Sequence, residues 1–300
     1  MSFASEYHQA MPKLSDITKA SVNLAVAEYD RLEREEFLRI NGFGRAETYF
    51  LKRGRRFYES KAIVGCAYGY EHPMEGHLRS SQFSGGESRV KALLTRLGFK
   101  VVPDVSSLLH PKQLCSRDEF LSRPCPVPAR KGVYAWYFRE PPPGVPVAGC
   151  WKHDGYTLLY VGIAPDKLRE GSLERLRARI HSHFAGNAEA SCLRRALGCL
   201  LAAKLGLELR RCGGGHHVSF RLEGEEGYRD GEKELSEWMA RNAFVAWMEH
   251  CQPWTVEKYL IHDKLPPLNI KDNPTNPFRP ELRKLLAEAR LHAAGAPVIP

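Results

Sequence analysis

Residues 132–138 read Gly-Val-Tyr-Ala-Trp-Tyr-Phe, and residues 157–164 read Thr-Leu-Leu-Tyr-Val-Gly-Ile-Ala. Runs this rich in β-branched and aromatic side chains predict two neighbouring strands. Each strand carries a tyrosine beside a glycine, Tyr134 after Gly132 in the first and Tyr160 before Gly162 in the second. A glycine lets another backbone or a substrate come close. Taken alone, either tyrosine is typical of strand packing.

A helix predicted over 172–184 places basic side chains after these strands. Two Arg/His pairs, each four residues apart, lie on opposite flanks of its apolar stripe: Arg179 with His183, and Arg177 with His181. Helical geometry alone does not choose between the pairs. His181 and His183 diverge around the helix, which excludes a metal site between them.

A late carboxylate completes the set of chemical groups. Glu257 falls on a helix predicted over 254–263. Mg²⁺ commonly binds one or two carboxylates and keeps several waters. Two phenols, a guanidinium, an imidazole and one carboxylate therefore suggest a single-metal site for cutting a phosphodiester.

The composition indicates a globular protein with an anionic partner. The 300 residues include 44 Lys and Arg against 35 Asp and Glu, a net charge of +9 that favours a polyanion such as DNA. No run approaches the roughly 18 apolar residues of a membrane span, and the first residues lack a secretion signal. Eight scattered cysteines without a C-x-x-C pair fit a reducing, cytoplasmic setting.

The proline-rich stretch 103–130 predicts a linker or wrapped connection between a domain over 1–102 and another over 131–300. In the first domain we expect a helix over 16–40, a hairpin of 49–51 with 56–58, a helix capped by Ser60, a helix over 88–97 and a strand over 100–102. In the second we expect a strand over 217–222 after a glycine turn, and helices over 191–205, 231–250 and 280–291. The fold class is α+β.

Residues 130–272 resemble the GIY-YIG nuclease family. That family has a G-x-Y strand, a Y-x-G strand, a helix with Arg and then His four residues later, a late metal-binding Glu and a terminal Asn. The matching positions here are Tyr134, Tyr160, Arg179, His183, Glu257 and Asn269. The resemblance selects Arg179 and His183 over the other pair, and it implies a small central antiparallel sheet flanked by helices. The 139–156 loop is an insertion relative to the family.

The resemblance also implies roles. Glu257 would hold one Mg²⁺ or Mn²⁺, and Arg179 would stabilise charge on the phosphate oxygens in the transition state. Tyr134 would accept the proton of the attacking water, while Tyr160 and His183 orient water or phosphate. Asn269 also matches the family pattern, and it is expected to hold the Glu257 helix against the strands.

The first domain carries candidate DNA contacts. Four cations crowd the predicted hairpin turn (Lys52, Arg53, Arg55 and Arg56), and Ser84-Gly85-Gly86 precedes a helix where free amides can bind a phosphate. Residues 16–102 resemble the N-terminal head domain of McrA-like, modification-dependent endonucleases. This resemblance implies a DNA-recognition domain in a restriction or defence setting.

The sequence thus favours a Mg²⁺-dependent DNA endonuclease of restriction type, acting on duplex DNA as a homodimer or by sequential nicks. Two alternatives stay open: a repair or recombination nuclease that selects a DNA structure, and a non-catalytic DNA-binding protein that keeps the nuclease fold.

Overall fold

The computed structural model describes residues 12–46, 48–54, 56–165, 175–271 and 273–299. The chain divides into two compact units, Met1–Asp104 and Val105–Pro300. Helices and antiparallel strands are mixed in both units, which confirms the predicted α+β class. Within the described ranges, no helix combines the length and apolar character that crossing a membrane requires.

In its described residues the first unit has four α-helices and a three-stranded antiparallel sheet of order β2-β1-β3, with the first two helices packed on the third. Its elements are α1 (Lys19–Leu32), α2 (Arg34–Asn41), β1 (Tyr49–Arg53), β2 (Arg56–Glu59), α3 (Ser60–Glu71), α4 (Ala92–Arg96) and β3 (Lys100–Pro103). The predicted hairpin and third strand are confirmed.

Three helix predictions in this unit need correction. The single helix expected over 16–40 is two helices, because Glu33 takes a left-handed φ of 62° between them. Ser60 does not cap α3: Glu59 is the cap residue, and the Ser60 hydroxyl instead donates to the carbonyl of Tyr49 at 2.8 Å. The helix expected over 88–97 starts as a π-helical turn, Glu87–Lys91, and continues as α4.

The second unit is built on a four-stranded antiparallel sheet of order β10-β4-β6-β5, with a separate three-stranded sheet of order β7-β8-β9. Its strands are β4 (Gly132–Phe138), β5 (Lys152–His153), β6 (Tyr156–Ala164), β7 (Leu207–Cys212), β8 (His217–Gly224), β9 (Gly227–Asp230) and β10 (Ala243–Glu249). Its helices are α5 (Ser106–Leu109), α6 (Arg117–Leu121), α7 (Leu176–Ala185), α8 (Cys192–Leu200), α9 (Ala202–Leu205), α10 (Gly231–Asn242), α11 (Pro253–Lys264) and α12 (Arg279–Gly295).

Strand β4 is the middle of this unit, and all seven of its residues are buried. Because successive side chains point to opposite faces, Tyr134 and Trp136 join one apolar cluster with residues of α7 and α10. Val133 and Ala135 join another cluster with residues of α5 and α11. The alternation decides that the Tyr134 hydroxyl faces α7.

Strand β10 corrects the helix predicted over 231–250. The helix ends at Asn242, and Ala243 to Glu249 pair with β4 along its whole length, Ala243 opposite Phe138 and Glu249 opposite Gly132. The residues of this strand include good helix formers, and no glycine or proline separates them from α10. Pairing beside a fully buried strand overrides that local preference.

The proline-rich segment 103–130 wraps onto the second unit. The Tyr137 hydroxyl donates to the carbonyl of Leu108 at 2.7 Å, and Cys115 forms an antiparallel bridge with Val245. The segment therefore contributes α5, α6 and an extra edge contact to the main sheet. The functional limits of the two domains stay a prediction.

The chain between α9 and α10 forms the second sheet, of which the sequence predicted only β8. Gly213, Gly214 and Gly215 make the tight turn between β7 and β8, and all three have positive φ. The glycine turn was predicted, whereas β7 and β9 were not.

Candidate active site

Tyr134 and Gly162 lie opposite each other on β4 and β6. A Cβ built on Gly162 would lie 2.4 Å from the Tyr134 hydroxyl, so only glycine leaves space for the phenol there. Gly132 is constrained in the same way, because its Cβ would lie 2.2 Å from the carbonyl oxygen of Met248 on β10. Close packing therefore requires a glycine at both position 132 and position 162.

A chain of three side chains runs inward from Tyr134. Its hydroxyl lies 2.9 Å from Nε2 of His183, and Nδ1 of His183 lies 2.7 Å from the hydroxyl of Ser191. Ser191 is the N-cap of α8 and accepts the backbone N–H of Arg194 at 3.0 Å. All three side chains of the chain are buried.

The neighbours of Ser191 assign the tautomer of His183. The buried hydroxyl needs an acceptor for its proton. Among the hydrogen bonds of the described residues, Nδ1 of His183 is the acceptor within reach, since the other partner is an N–H donor. Nδ1 therefore accepts from Ser191, and Nε2 carries the proton and donates it to the oxygen of Tyr134.

His183 is held neutral. Burial, followed by the positive charges of Arg179 and Arg194, lowers its pKa well below the usual range. A neutral imidazole with its proton on Nε2 is a hydrogen-bond donor to Tyr134, and its low pKa makes it a poor acceptor of a further proton.

The alternative Arg/His pair lies elsewhere. Arg177 is exposed and donates to the carbonyl of Val127 at 2.8 Å, and His181 is exposed beside Phe120. Arg179 is half-buried, and its guanidinium donates to the carbonyl of Ala190 at 3.4 Å. The structure thus brings Arg179 and His183, and not the other pair, to the side of the tyrosines.

Tyr160 is the more exposed of the two phenols, since it is half-buried while Tyr134 is 1% exposed. Desolvation raises the pKa of Tyr160, and so do Tyr134 and Glu257, whereas Arg179 lowers it. These interactions show that Tyr160 lies within electrostatic reach of all three groups. Tyr160 is therefore a neutral hydroxyl.

Asn269 is hydrogen-bonded to the backbone of β6 through both polar atoms of its side-chain amide. Its side-chain oxygen accepts the backbone N–H of Val161 at 2.8 Å, and its amide nitrogen donates to the carbonyl of Val161 at 2.7 Å. The backbone N–H of Leu268 donates to the carbonyl of Leu159 in the same line. The segment after α11 is thereby fixed to the strand that carries Tyr160.

A buried ion pair braces the same region, and sequence reasoning missed it. Arg194 is fully buried and donates to Glu232 at 2.8 Å, while another nitrogen of its guanidinium donates to the carbonyl of His183 at 3.2 Å. Glu232 also accepts the backbone N–H of Ala188 and Phe220. The two charges are 38 residues apart in the chain, so no local pattern announces them. Ser191, by contrast, could have been recognised from the sequence, because it stands at the start of a predicted helix, where serine commonly caps the helix.

An open polar cavity of about 630 Å³ begins beside Ala190, the residue that accepts from Arg179. Arg221 and Arg229 contribute positive charge to its wall, and Asp230 contributes negative charge. The cavity is formed by the turn after α7 and by the second sheet.

Comparison with known proteins identifies the catalytic part of the chain. The family described as "GIY-YIG catalytic domain" matches residues 132–290. The chain belongs to the GIY-YIG family. The second unit carries the catalytic domain of that family.

Two other comparisons concern the rest of the chain. The family described as "ScoMcrA-like, N-terminal head domain" matches residues 15–103, which confirms the second predicted resemblance. A solved structure, that of the type IV phosphorothioation-dependent restriction endonuclease ScoMcrA, matches with 17% identity over 78% of this chain, at a TM-score of 0.23. This chain spans 34% of that protein. No curated protein matches the chain.

GIY-YIG nucleases generally use divalent metal ions, and the residues present fit such an ion. Glu257 is half-buried on α11 and offers a hard carboxylate oxygen, and its charge acts on Tyr160. A carboxylate oxygen can bind a divalent metal ion and a guanidinium can bind a phosphate, so the groups present suit a metal-dependent nuclease site.

The candidate DNA-binding cations of the head domain differ in exposure and in their partners. Arg53 is exposed at the end of β1, and Lys52 lies over the ring of Phe57 at 5.4 Å. Arg56 is paired with Asp30 at 2.6 Å. Arg55 lies outside the described residues.

The loop of Ser84, Gly85 and Gly86 precedes the π-helical turn, and a Cβ on Gly85 would lie 3.2 Å from the side chain of Lys61. The near atom is a methylene carbon of Lys61, whose ammonium donates to the carbonyl of Ser80 at 2.7 Å.

Proposed function

We propose that this protein is a Mg²⁺-dependent DNA endonuclease of restriction type that hydrolyses phosphodiester bonds. One observation carries the proposal: the Tyr134–His183–Ser191 chain ends on the face where Arg179 and Tyr160 also lie. The charge of Glu257 reaches the same place from α11. An acceptor for a proton, a fixed positive charge and a metal-binding carboxylate are the groups that phosphodiester hydrolysis needs.

Tyr134 accepts the proton of the attacking water after its own hydroxyl proton has been lost to solvent, an ionisation that Arg179 and a bound metal ion would favour. The donor that supports this role is Nε2 of His183, 2.9 Å away, which stabilises negative charge on the phenolic oxygen. The low pKa of His183 keeps the proton of the water on Tyr134 and off the imidazole. Ser191 holds the imidazole in the donating tautomer.

Arg179 stabilises the pentavalent transition state, in which charge builds on the phosphate oxygens. A guanidinium suits this role because it stays protonated and presents several N–H donors in one plane. The carbonyl of Ala190 orients it at 3.4 Å.

Tyr160 and Glu257 complete the site. Tyr160 has a raised pKa, so its hydroxyl stays protonated and orients the water or the phosphate by hydrogen bonding. Glu257 would hold the Mg²⁺ or Mn²⁺ ion, which when bound neutralises charge on the scissile phosphate and the leaving oxygen. Asn269 serves as a positioning residue through its two bonds to Val161.

DNA recognition belongs to the head domain. Nuclease groups that bind backbone and metal carry no base information, so selection must come from other contacts. The match of residues 15–103 to a ScoMcrA-like head domain supports a restriction setting and selection of modified DNA. The exposed cation of Arg53 and the amides of Gly85 and Gly86 are the contacts we assign to DNA. Because one site cuts one strand, duplex cleavage takes a homodimer or two sequential nicks.

The test is a cleavage screen with Mg²⁺ on otherwise identical plasmids that are unmodified, base-methylated, hydroxymethylated or phosphorothioated, with fragment ends sequenced. We expect cutting of at least one modified form in preference to the unmodified plasmid. Equal cutting of all forms would show that cleavage does not depend on DNA modification, and it would leave the proposal of a nuclease intact. Binding without cleavage on every DNA, including branched and nicked substrates, would contradict the assignment as an enzyme.

A further inference from the structure

Three donor groups of different chemistry converge in the head domain, far along the chain from any proposed catalytic residue. Glu28 comes from α1, Cys66 from α3 and His77 from the loop that follows α3. One ligand atom from each lies within 4.8 Å of the other two. Sγ of Cys66 is 3.2 Å from Oε2 of Glu28 and 4.0 Å from Nε2 of His77.

Two of these separations are close to those around a bound zinc ion. Ligands at about 2.0–2.3 Å in tetrahedral geometry lie about 3.3–3.6 Å apart. To reach that geometry the sulfur–oxygen and sulfur–nitrogen pairs shift by about half an ångström, and the oxygen–nitrogen pair, which lies within 4.8 Å, closes by up to about 1.5 Å.

His77 is oriented to offer a lone pair. The amide nitrogen of Asn41 donates to the carbonyl of Phe37 at 3.0 Å, so the amide oxygen faces His77 and lies 2.6 Å from its Nδ1. An amide oxygen only accepts, which puts the imidazole proton on Nδ1 and the lone pair on Nε2, toward Cys66. An outer hydrogen bond of this kind is what fixes the tautomer of metal-binding histidines.

The position of His77 depends on a glycine. A Cβ on Gly69 would lie 2.0 Å from Cδ2 of His77, so a larger residue in α3 would displace the ring. On the other side of the cluster the Tyr70 hydroxyl donates to Oε2 of Glu28 at 2.7 Å, which orients the carboxylate. Both outer ligands are therefore positioned by neighbours.

We propose that Glu28, Cys66 and His77 form a Zn²⁺ site that ties α1, α3 and the loop after α3 together. Thiolate, imidazole and carboxylate in one site favour Zn²⁺ over Mg²⁺ or Ca²⁺, which prefer oxygen ligands alone. Zn²⁺ binding releases the Cys66 thiol proton to solvent, and water takes the fourth position. The site takes no part in the proposed nuclease chemistry.

The experiment uses the full chain with Glu257→Ala, so that the proposed catalytic metal site cannot contribute. The protein is stripped with a chelator, exposed to Zn²⁺, freed of unbound metal and analysed by elemental mass spectrometry. We expect about one zinc per chain, a melting temperature raised by Zn²⁺, and a sulfur-to-metal absorption band with Co²⁺.

Matched variants decide which residues bind. Cys66→Ser and His77→Gln in the same background should retain no zinc, and Cys66→Ser should lose the cobalt band. His72→Gln is the control, because His72 directly follows the helix that carries Cys66, and this variant should retain zinc. His77 is exposed, so His77→Gln tests the site even where Cys66→Ser fails to fold. Absence of retained zinc in the parent, or equal retention by His77→Gln and the parent, would overturn the proposal.

Discussion

Nε2 of His183 lies 2.9 Å from the hydroxyl oxygen of Tyr134, and the hydroxyl of Ser191 on the far side of the ring makes that nitrogen the donor. The relationship couples a strand residue to a helix residue 49 positions later. It also separates the roles of the two groups, because a buried neutral imidazole stabilises charge on the phenol without taking its proton.

Replacing Arg179 distinguishes it from its helical neighbour. We expect Arg179→Ala to lower the cleavage rate by about 10²–10³-fold, because it removes the positive charge that faces the phosphate. Arg177→Ala is the matched control: Arg177 bonds the carbonyl of Val127 instead, so its loss should leave cleavage unchanged. Single-turnover plasmid cleavage measures both. Equal losses in the two variants would show that helix charge in general, and not Arg179, supports cleavage.

Gly162→Ala tests whether the position of Tyr134 matters. The added Cβ would displace the phenol, which lies 2.4 Å from it, and we expect a loss of about 10²-fold in cleavage rate with DNA affinity retained. Gly295→Ala, where a Cβ meets nothing within 4 Å, is the control. Full activity in Gly162→Ala would mean that the Tyr134 hydroxyl takes no part in the reaction.

The low pKa of His183 predicts a dependence of stability on pH. The unfolded chain binds a proton on this histidine below about pH 6.5, whereas the folded chain does not until a lower pH, so stability is lost as pH falls below about 6.5. His183→Gln removes this contribution. The difference in unfolding free energy between the native protein and the variant should therefore shrink as the pH is lowered, as measured by urea unfolding. His250, whose pKa is also lowered, is present in both proteins and cancels. A difference that stays constant with pH would show that His183 is not held neutral by the fold.

Charge reversal at Arg53 tests the head domain. Arg53→Glu should weaken DNA binding and reduce the slope of affinity against salt, since one phosphate contact is lost. Arg39→Glu is the control, because Arg39 is exposed in the same unit but paired with Glu36 on α2. Titration of labelled duplex at several salt concentrations gives both quantities. Unchanged affinity and slope in Arg53→Glu would move DNA recognition to another surface.

The sequence predicted the two strands that carry Tyr134 and Tyr160 but missed the strand that pairs beside the first of them. Gly132–Phe138 was predicted to the residue, because a run of 7 residues rich in aromatic and β-branched side chains is too short for a buried helix. Ala243–Glu249 was predicted as helix, because its local preference is helical and only its pairing with β4 makes it a strand. The buried ion pair of Arg194 and Glu232 could not be predicted from the sequence. Each residue has the sequence context of an ordinary surface charge, and only the fold brings the two together.

Glu257 and the metal ion it would hold are central to the proposed reaction. The measurement is plasmid cleavage against Mg²⁺ concentration for the native protein, for Glu257→Ala and for Glu249→Ala, an exposed glutamate at the end of β10. DNA binding is measured in parallel to show that each variant still reaches its substrate. We predict cleavage by the native protein and by Glu249→Ala that requires Mg²⁺ and stops with chelator, and none by Glu257→Ala. Undiminished cutting by Glu257→Ala, or cutting that continues without metal, would contradict the account.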